Sequence, residues 1–560
     1  MTRPTPPRLP VPELDGTLER FLQQVRPLLS DEDYAEAETA ARAFQQDTAP
    51  ILQAALQRRA ERLHDRSWLI DTWLDGYLRI REPLPLASNV GFQIQMQGAD
   101  LAQWAAALAA VCADYRHGRV ETPVSPQGNP VCMNQWWIVQ GAARIPQAAC
   151  DDYRFADNSS TIGVLYRGWY YRLPAFDKAD EVLPVCVFRS QLEQILAEND
   201  DNPYPLGVAA CVGGDDGAAL YAELRRQPAN AVLLDDLEAD LFHISLDDHA
   251  LNADEDLAYA AFAPDCGIWF YKPMTFRYNT ATGRLYLHCE HTWEDGGTLK
   301  AVVTRAADKL GSLPEKNFSE KPDVPQRFGW HLDDSLKAQW PQWQQHYAAR
   351  AAAMRVVSTT VPFEGAVIPK GISQDALMQF VLQYAQLAAY GQVRNTYEAV
   401  DVSHFQCGRT ECVRPVSQES LAFVRGLLAG SPDRVALDAA LAEHKARVKA
   451  AKMGLGANRH LLGLHREALD EGVECTWFDS PAYRVFTTDF LSTSTLGDDA
   501  LVVNFAFAPT SAGGLGINYT LTAAGWLFTV SHQAEQQDEV ERFIAAVQQG
   551  GRALLDYVCA

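Results

Sequence analysis

Patterns typical of helices and patterns typical of strands are mixed along this chain, so it can only fold as a globular protein that contains both. Apolar residues recur at three- and four-residue spacing from residue 14 to about 79, which predicts helices. Strand patterns are mixed with helical ones from about 92 to 307 and return from about 483 to 530. Over 560 residues this arrangement predicts two to four domains, since one domain commonly holds about 150–250 residues.

Individual elements can be placed by their periodicity and their turn residues. A hairpin is predicted for strands at 161–166 and 169–173, around Arg167 and Gly168. Further strands are predicted at 267–270, 284–290, 483–490, 500–507, 514–522 and 525–530, and helices at 373–391, 417–429, 432–452, 457–470 and 536–556. A polar segment at about 309–326 that holds three prolines is the best candidate for an interdomain linker.

Charge and composition narrow the partners and the compartment. The chain has 48 Lys+Arg against 71 Asp+Glu, a net charge of −23, which argues against nonspecific binding of nucleic acid or anionic membranes. The longest apolar stretch, at 101–112, is shorter than the roughly 20 residues of a membrane span, and no secretory signal opens the sequence. The eleven cysteines form no CxxC motif. We therefore expect a reduced, cytoplasmic protein.

The most informative local pattern lies at 287–297, where a strand runs into a polar turn that ends in two glycines. His291 lies where the strand ends, and Asp295 follows four residues later. A turn would let that carboxylate hold the imidazole ring in one tautomer, as a general base requires. The pair could also be purely structural. A metal site built on His288, Cys289 and His291 is a further alternative, although positions three apart on a strand face opposite sides.

The segment from Glu290 to Gly296 resembles the catalytic segment of the choline/carnitine acyltransferase family, in which an acidic residue follows Glu-His by four positions. Similar blocks follow in the family's order from about residue 8 to the C-terminus. They are Asn-Gln-Trp-Trp at 134–137, Ala-Arg-Ile-Pro at 143–146, Trp-Phe-Tyr-Lys at 269–272, the helix end and Thr-Tyr-Glu at 384–398, Gly-Arg-Thr at 408–410, Arg-His-Leu-Leu-Gly-Leu at 459–464, Ser-Thr-Ser at 492–494 and Gly-Leu-Gly at 514–516.

This resemblance implies an α/β fold of two chloramphenicol-acetyltransferase-like, CoA-dependent acyltransferase domains with the active-site tunnel between them. It implies a helical segment at 1–88 that packs with the C-terminal domain. The N-terminal acyltransferase-like domain would cover 89–325 and carry His291, and the C-terminal one would cover 326–560. The candidate linker at 309–326 agrees with that division.

The resemblance also implies an activity and the residues that perform it. His291, oriented by Asp295, would remove the proton of an acceptor hydroxyl as it attacks an acyl-CoA thioester, without a covalent intermediate. Ser494 matches the family's donor to the oxyanion of the tetrahedral intermediate. Coenzyme A and its acyl esters are substrates in this scheme, and no metal or permanently bound cofactor is expected.

The acceptor implied by the resemblance is carnitine, whose carboxylate needs a cation and hydroxyl donors. Tyr397, Thr410 and Arg459 match the family's carboxylate-binding positions, and Ser492 belongs to the same site. Carnitine enzymes of the family have arginine where Arg459 stands, whereas choline acetyltransferases have a neutral residue. The ring of Phe507 could face the trimethylammonium group.

The matches are weaker around CoA and the acyl chain. Lys370 matches the first lysine of the family's CoA-binding loop, but the second lysine is missing. Asn504 and Phe505 are candidate blockers of the acyl tunnel, which favours short acyl chains.

Three alternatives to a carnitine acyltransferase stay open: an enzyme that accepts choline or another hydroxylated amine, a noncatalytic relative that binds CoA esters or carnitine, and the metal-dependent hydrolase. The expected partners are small molecules, and the expected state is a monomer.

Overall fold

The computed structural model describes residues 5–125, 128–313 and 324–560. It contains two large β-sheets that are covered by helices, which confirms the predicted α/β class. Most of the candidate linker at 309–326 lies outside the described residues. Nowhere in the described ranges does a helix combine the length and the apolar character that crossing a membrane requires.

The elements are numbered along the chain. The helices are Leu14–Val25 (α1), Asp31–Gln46 (α2), Ala49–Arg62 (α3), Ile70–Leu78 (α4), Leu101–Arg116 (α5), Val185–Leu196 (α6), Val208–Cys211 (α7), Gly214–Arg226 (α8), Pro228–Ala239 (α9), Ala253–Phe262 (α10), Gly296–Lys309 (α11), Asp334–Ala351 (α12), Gln374–Tyr390 (α13), Gln418–Leu428 (α14), Arg434–Lys452 (α15), Ala457–Asp470 (α16), Pro481–Thr487 (α17) and Gln537–Cys559 (α18). The strands are Val90–Ile94 (β1), Ala142–Ile145 (β2), Asp152–Phe155 (β3), Thr161–Tyr166 (β4), Trp169–Pro174 (β5), His243–Asp247 (β6), Met274–Asn279 (β7), Arg284–Cys289 (β8), Arg327–Phe328 (β9), Met354–Pro362 (β10), Thr396–Asp401 (β11), Thr410–Val413 (β12), Leu491–Ser494 (β13), Val502–Phe507 (β14), Leu515–Leu521 (β15) and Gly525–Gln533 (β16).

The first sheet has the strand order β14-β1-β8-β7-β6-β4-β5-β9. Side chains of α5, α6 and α11 form one apolar cluster with its strands, and side chains of α7 to α10 and α12 form another. Strand β14 comes from the C-terminal part of the chain and pairs antiparallel with β1, with Phe505 opposite Phe92. Because β14 joins this sheet, both parts of the chain contribute strands to the sheet that holds β8, the strand that leads to His291.

The second sheet has the order β10-β16-β15-β13-β11-β12. Helices α13, α14, α15 and α18 contribute to the apolar cluster that packs on it. Strand β13 lies parallel to both β11 and β15, so β13 is an inner strand of this sheet. We call the parts built on the two sheets the first half and the second half of the molecule.

The helices before β1 pack on the second half. Phe44 of α2 stacks on Trp477 at a centroid distance of 4.4 Å, and Phe21 of α1 meets the same indole edge-on. Helices α1 and α3 also contact α16. Aromatic pairs of this kind bury large apolar areas. Trp73 of α4 belongs to the same apolar cluster as residues of α16, so α4 also packs on the second half.

Several sequence predictions are confirmed. The helices expected near 373–391, 417–429, 432–452, 457–470 and 536–556 are α13 to α16 and α18. The hairpin of β4 and β5 turns at Arg167 and Gly168, whose φ angles of 51° and 76° fit the mirror-image turns that match strand twist.

Two predicted strands are wrong. Residues 267–270 form no strand in the described structure, and most of 483–490 belongs to α17. Ser480 caps that helix through the N–H of Tyr483, and Pro481 occupies its first position, where a missing N–H costs nothing. This local start signal outweighed the alternation of apolar residues that had suggested a strand.

Candidate active site

His291 lies in the turn between β8 and α11, as the sequence predicted. Its ring stacks on the ring of Tyr77 from α4, with centroids 5.8 Å apart and planes 27° apart. Burial lowers the pKa of His291 below its ordinary value, and the nearby charge of Asp295 only partly offsets this. The imidazole is therefore neutral near pH 7, the state in which it can accept a proton.

One ring nitrogen of His291, Nδ1, is buried. The backbone carbonyls of His291 and Glu294 favour a proton on the ring, although no acceptor among the described residues has hydrogen-bond geometry with Nδ1. A proton that resides on Nδ1 leaves Nε2 as the basic nitrogen.

Asp295 does not hold the imidazole by a hydrogen bond in the described structure. Its carboxylate instead accepts hydrogen bonds from Nε of Arg409 at 2.8 Å, Nη2 of Arg409 at 3.1 Å and Nε2 of Gln135 at 2.9 Å. Burial opposes the charge of Asp295, but the Arg409 guanidinium outweighs it and keeps the pKa of Asp295 below its ordinary value. Asp295 thus acts on His291 as a fixed nearby charge.

Arg409 also fixes the backbone of the turn that carries His291. Its Nη1 donates to the carbonyl of Thr292 at 2.6 Å, and its Nη2 donates to the carbonyls of Glu294 at 3.0 Å and His291 at 3.3 Å. The sequence analysis did not select Arg409 as a site residue, although it lies within the Gly-Arg-Thr block at 408–410.

A second buried arginine supports the same turn from the first half. Arg144 of β2 binds Asp151 at 2.8 Å, the hydroxyl of Thr292 at 3.2 Å and the carboxylate of Glu290 at 3.4 Å. Burial raises the pKa of Glu290 even though Arg144 opposes that shift. The residues on both sides of His291 are therefore anchored by guanidinium groups.

The three positions matched to carboxylate binding come together in the second half. Arg459 of α16 donates from Nη2 to the hydroxyl of Tyr397 at 3.0 Å and from Nε to the carbonyl of Thr410 at 3.0 Å. Its backbone N–H donates to Glu411 at 3.1 Å. Two strands and a helix thus converge on one cationic group with a hydroxyl beside it, an arrangement suited to a carboxylate.

Two aromatic residues of α4 connect the Arg459 cluster to His291. The guanidinium carbons of Arg459 and Arg409 lie 4.5 and 5.4 Å from the ring centroid of Trp73. Tyr77 lies one helical turn later, 5.7 Å from Trp73, and burial raises its pKa although the charges of Arg409 and Arg459 oppose that shift. The sequence analysis missed Trp73 and Tyr77, since nothing in an amphipathic helix marks which aromatic residues will face a site.

Ser494 is the last residue of β13, and it is half-buried opposite Asn518 of β15. Ser492 is buried on the same strand, and Thr493 between them donates to the carbonyl of Tyr397 at 2.7 Å. The chain after Ser494 approaches α11, because Lys300 donates to the carbonyl of Leu496 at 2.7 Å. The end of β13 therefore lies beside the helix that starts directly after Asp295.

Phe507 and Lys370 lie at other places. Phe507 ends β14, and its ring stacks on Phe505 at 6.1 Å and covers Gly516. Lys370 is exposed in the turn before α13. Neither belongs to the hydrogen-bond network of His291 and Arg459 within the described residues.

Comparison with known proteins identifies the family. Residues 9–549 match the family described as Choline/Carnitine o-acyltransferase. Carnitine O-acetyltransferase of Rattus norvegicus is 26% identical, over 94% of this chain and 89% of that protein. The muscle isoform of carnitine O-palmitoyltransferase 1 from the same species is 28% identical, over 93% of this chain and 72% of that protein. TRI3 trichothecene 15-O-acetyltransferase from Fusarium sporotrichioides, a solved structure, gives a TM-score of 0.41 at 10% identity, over 86% of this chain and 93% of that one. The chain is an acyltransferase and belongs to the choline/carnitine O-acyltransferase family.

Proposed function

We propose that this protein transfers an acyl group reversibly between acyl-CoA and the hydroxyl of carnitine. The observation that carries the proposal is the contact of Arg459 with Tyr397 and Thr410, joined to His291 through Trp73 and Tyr77. A carboxylate recognition group and a neutral buried base are thereby supplied by adjoining surfaces of the two halves.

In the proposed reaction His291 is the general base. The acceptor oxygen attacks the thioester carbon while its proton moves to the imidazole. When the tetrahedral intermediate collapses, the carbon–sulfur bond breaks and the imidazolium gives its proton to the CoA thiolate. Burial favours this role because a charged ring would not accept the proton, and the charge of Asp295 stabilises the imidazolium that forms transiently.

Ser494 is the proposed donor to the oxyanion of the intermediate. Its position at the end of β13, beside the start of α11, supports the assignment. A preorganised donor of this kind contributes about 3–4 kcal/mol to the transition state. Ser492 and the ring of Phe507 are proposed to contact the acceptor, Phe507 through its electron-rich face toward the ammonium group.

Carnitine is proposed over choline because only carnitine has a carboxylate. Burial opposes the charge of Arg459, but Tyr397 and Glu411 outweigh it and raise the pKa of Arg459. Choline has no anionic group to pair with this charged guanidinium, whereas the carboxylate of carnitine can form charged hydrogen bonds with it.

CoA and a short acyl chain complete the proposal. Lys370 is exposed and free to meet a phosphate of CoA near the start of α13. Asn504 and Phe505 of β14 are buried, and Phe505 packs on Phe92 with centroids 5.1 Å apart. Bulk at these positions supports short acyl chains.

The test is release of free CoA thiol from acetyl-CoA, followed with a thiol-reactive dye, with L-carnitine, choline and no acceptor in parallel. We expect release with carnitine alone. Release with choline at an equal rate would contradict the role of Arg459. If neither acceptor gives release, octanoyl-CoA and palmitoyl-CoA with carnitine separate a wrong acyl length from a wrong acceptor.

A further inference from the structure

Two cysteines from different halves of the molecule meet beside the candidate active site. The backbone N–H of Cys407, in the loop between β11 and β12, donates to Sγ of Cys132 at 3.2 Å, and the two thiols are close enough that each shifts the pKa of the other. The N–H of Cys132 donates to the carbonyl of Ser403 at 2.8 Å, so the two segments run side by side. Both residues are free thiols and only half-buried.

The environment favours reaction at one of the two sulfurs. The hydrogen bond from the Cys407 thiol outweighs burial and lowers the pKa of Cys132 to about 6, with help from the backbone N–H groups of Asn134 and Cys407. The same contact and burial raise the pKa of Cys407. A thiolate attacks and a thiol does not, so Cys132 is the nucleophile and Cys407 the resolving partner. Cys407 also has a φ angle of 49°, a strained conformation for a residue other than glycine.

Both cysteines are close in sequence to residues that hold Asp295. Gln135 lies three residues after Cys132, and Arg409 lies two residues after Cys407. Both donate to Oδ2 of Asp295, at 2.9 and 2.8 Å, and Gln135 also donates to the carbonyl of Gly408 at 3.3 Å. A covalent change at the sulfurs therefore acts on the two segments that position the charge beside His291.

We propose that Cys132 and Cys407 form a reversible disulfide with a disulfide oxidant such as oxidised glutathione, and that this bond slows acyl transfer. The Cys132 thiolate attacks one glutathione sulfur, the glutathione disulfide bond breaks, and one glutathione leaves as its thiolate. Cys407 then loses its proton and attacks the Cys132 sulfur, which releases the second glutathione. Two protein thiols become one disulfide, and the two protons end on the two glutathiones.

The molecule contains an internal contrast to this pair. Cys211 and Cys266 are also close enough to affect each other's pKa, but both are buried in an apolar cluster, and burial raises the pKa of Cys211 well above its ordinary value. Contact between two thiols is therefore not sufficient for the proposed reaction. The first pair differs from the second because its thiols are accessible and because Cys132 is a thiolate at neutral pH.

The experiment equilibrates the 560-residue chain in glutathione buffers from reducing to oxidising, blocks the remaining thiols with an alkylating agent, and maps the peptides. We expect Cys132 and Cys407 to lose alkylation together and to appear as one linked peptide, with Cys211 and Cys266 unchanged. Transfer activity should fall about tenfold or more in the oxidised enzyme and return with dithiothreitol, since a small displacement of positioned groups costs that much.

The variants Cys132→Ser and Cys407→Ser should each remove the response to oxidation, whereas Cys211→Ser should keep it. The peptide map needs no substrate, so it tests the disulfide independently of the acceptor proposed above. If Cys132 and Cys407 stay alkylated separately in oxidising buffer, the disulfide is excluded. If the linked peptide forms while the turnover number is unchanged, the effect on acyl transfer is excluded.

Discussion

Arg409 and Asp295 form a buried two-point ion pair across the two halves of the molecule, with Nε–Oδ2 at 2.8 Å and Nη2–Oδ1 at 3.1 Å. The same guanidinium binds the carbonyls of Thr292, Glu294 and His291. Because one side chain holds both the charge near the imidazole and the backbone that carries it, the geometry of the candidate base depends on the second half of the chain.

The first prediction concerns that clamp. Arg409→Lys keeps the charge but cannot reproduce the planar fork that meets both carboxylate oxygens and three carbonyls. We expect the turnover number to fall about 100-fold, because a shift of about 1 Å in the base costs that much. Steady-state kinetics measure the loss, and circular dichroism checks the fold.

The matched control for the clamp is Arg447→Lys in α15, where Nη1 of Arg447 donates to the carbonyls of Arg414 and Val416. This change should leave turnover within about twofold of the wild type, since it removes similar contacts away from His291. An equal loss in both variants would mean that Arg409 acts through stability alone.

The second prediction is a pH profile. Burial lowers the pKa of His291 below its ordinary value of about 6.5, so turnover should be constant near pH 7 and fall on the acid side with an apparent pKa below 6.5. His291→Ala should abolish transfer with the fold intact.

Asp295→Asn tests the sign of the second prediction. The charge of Asp295 raises the pKa of His291, so its removal should move the acid limb to still lower pH. A shift to higher pH, or none, would show that Asp295 does not act on His291 through its charge.

The third prediction concerns the acceptor. Arg459→Asn removes a charged donor from the cluster with Tyr397 and Thr410, and loss of charged hydrogen bonds costs about 1.5–3 kcal/mol. We expect the KM for carnitine to rise roughly 10- to 100-fold while the KM for acyl-CoA stays nearly unchanged. Two-substrate kinetics separate the two constants.

Arg466→Asn is the control for Arg459, since Arg466 is on the same helix but pairs with Asp75 and Asp470 at the surface. It should leave both constants near the wild-type values. If the two variants raise the KM for carnitine equally, Arg459 has no specific contact with the acceptor.

The fourth prediction tests the oxyanion donor. Ser494→Ala should lower the turnover number about 10²- to 10³-fold with little change in either KM, because the donor would act only in the transition state. Ser358→Ala in β10 of the same sheet serves as the control, as that hydroxyl contacts Thr529 instead. Equal rates in the Ser494→Ala variant and the wild type would remove Ser494 from the mechanism.

The fifth prediction concerns stability in acid. His288 is buried with Nδ1 at the carbonyl of Ala260 and Nε2 at the side-chain amide of Asn89, each 3.0 Å away, and burial lowers its pKa to about 4. In the unfolded chain His288 binds a proton near pH 6.5, whereas in the folded protein it binds one only near pH 4. The free energy of unfolding should therefore fall by up to about 3 kcal/mol as the pH drops between these values.

Urea denaturation at pH 7.5 and pH 5 measures the acid effect. His288→Gln should be less stable than the wild type at pH 7.5 but should lose less stability on acidification, because glutamine does not titrate. The exposed His64→Gln serves as the control and should follow the wild type. A pH dependence in the His288→Gln variant as steep as in the wild type would assign the effect to other groups.

The sequence by itself determined the local features. These are strand β8 with His291 in the turn that follows it, the hairpin at Arg167 and Gly168, and the helices of the second half. These follow from periodicity and turn chemistry, which act between residues close together in the chain. Where two local signals competed, as Ser480 and Pro481 did with apolar alternation, the helix cap decided and the predicted strand was wrong.

Only the tertiary structure decided what surrounds His291. Arg409 is 114 residues from Asp295 along the chain, and Gln135 is 160 residues away on the other side. Trp73 and Tyr77 reach the site because α4 packs in one apolar cluster with α16 of the second half. The two cysteines meet although 275 residues separate them along the chain. Such contacts depend on how whole elements pack, and hydrophobic burial, which drives that packing, has no direction that a single sequence reveals.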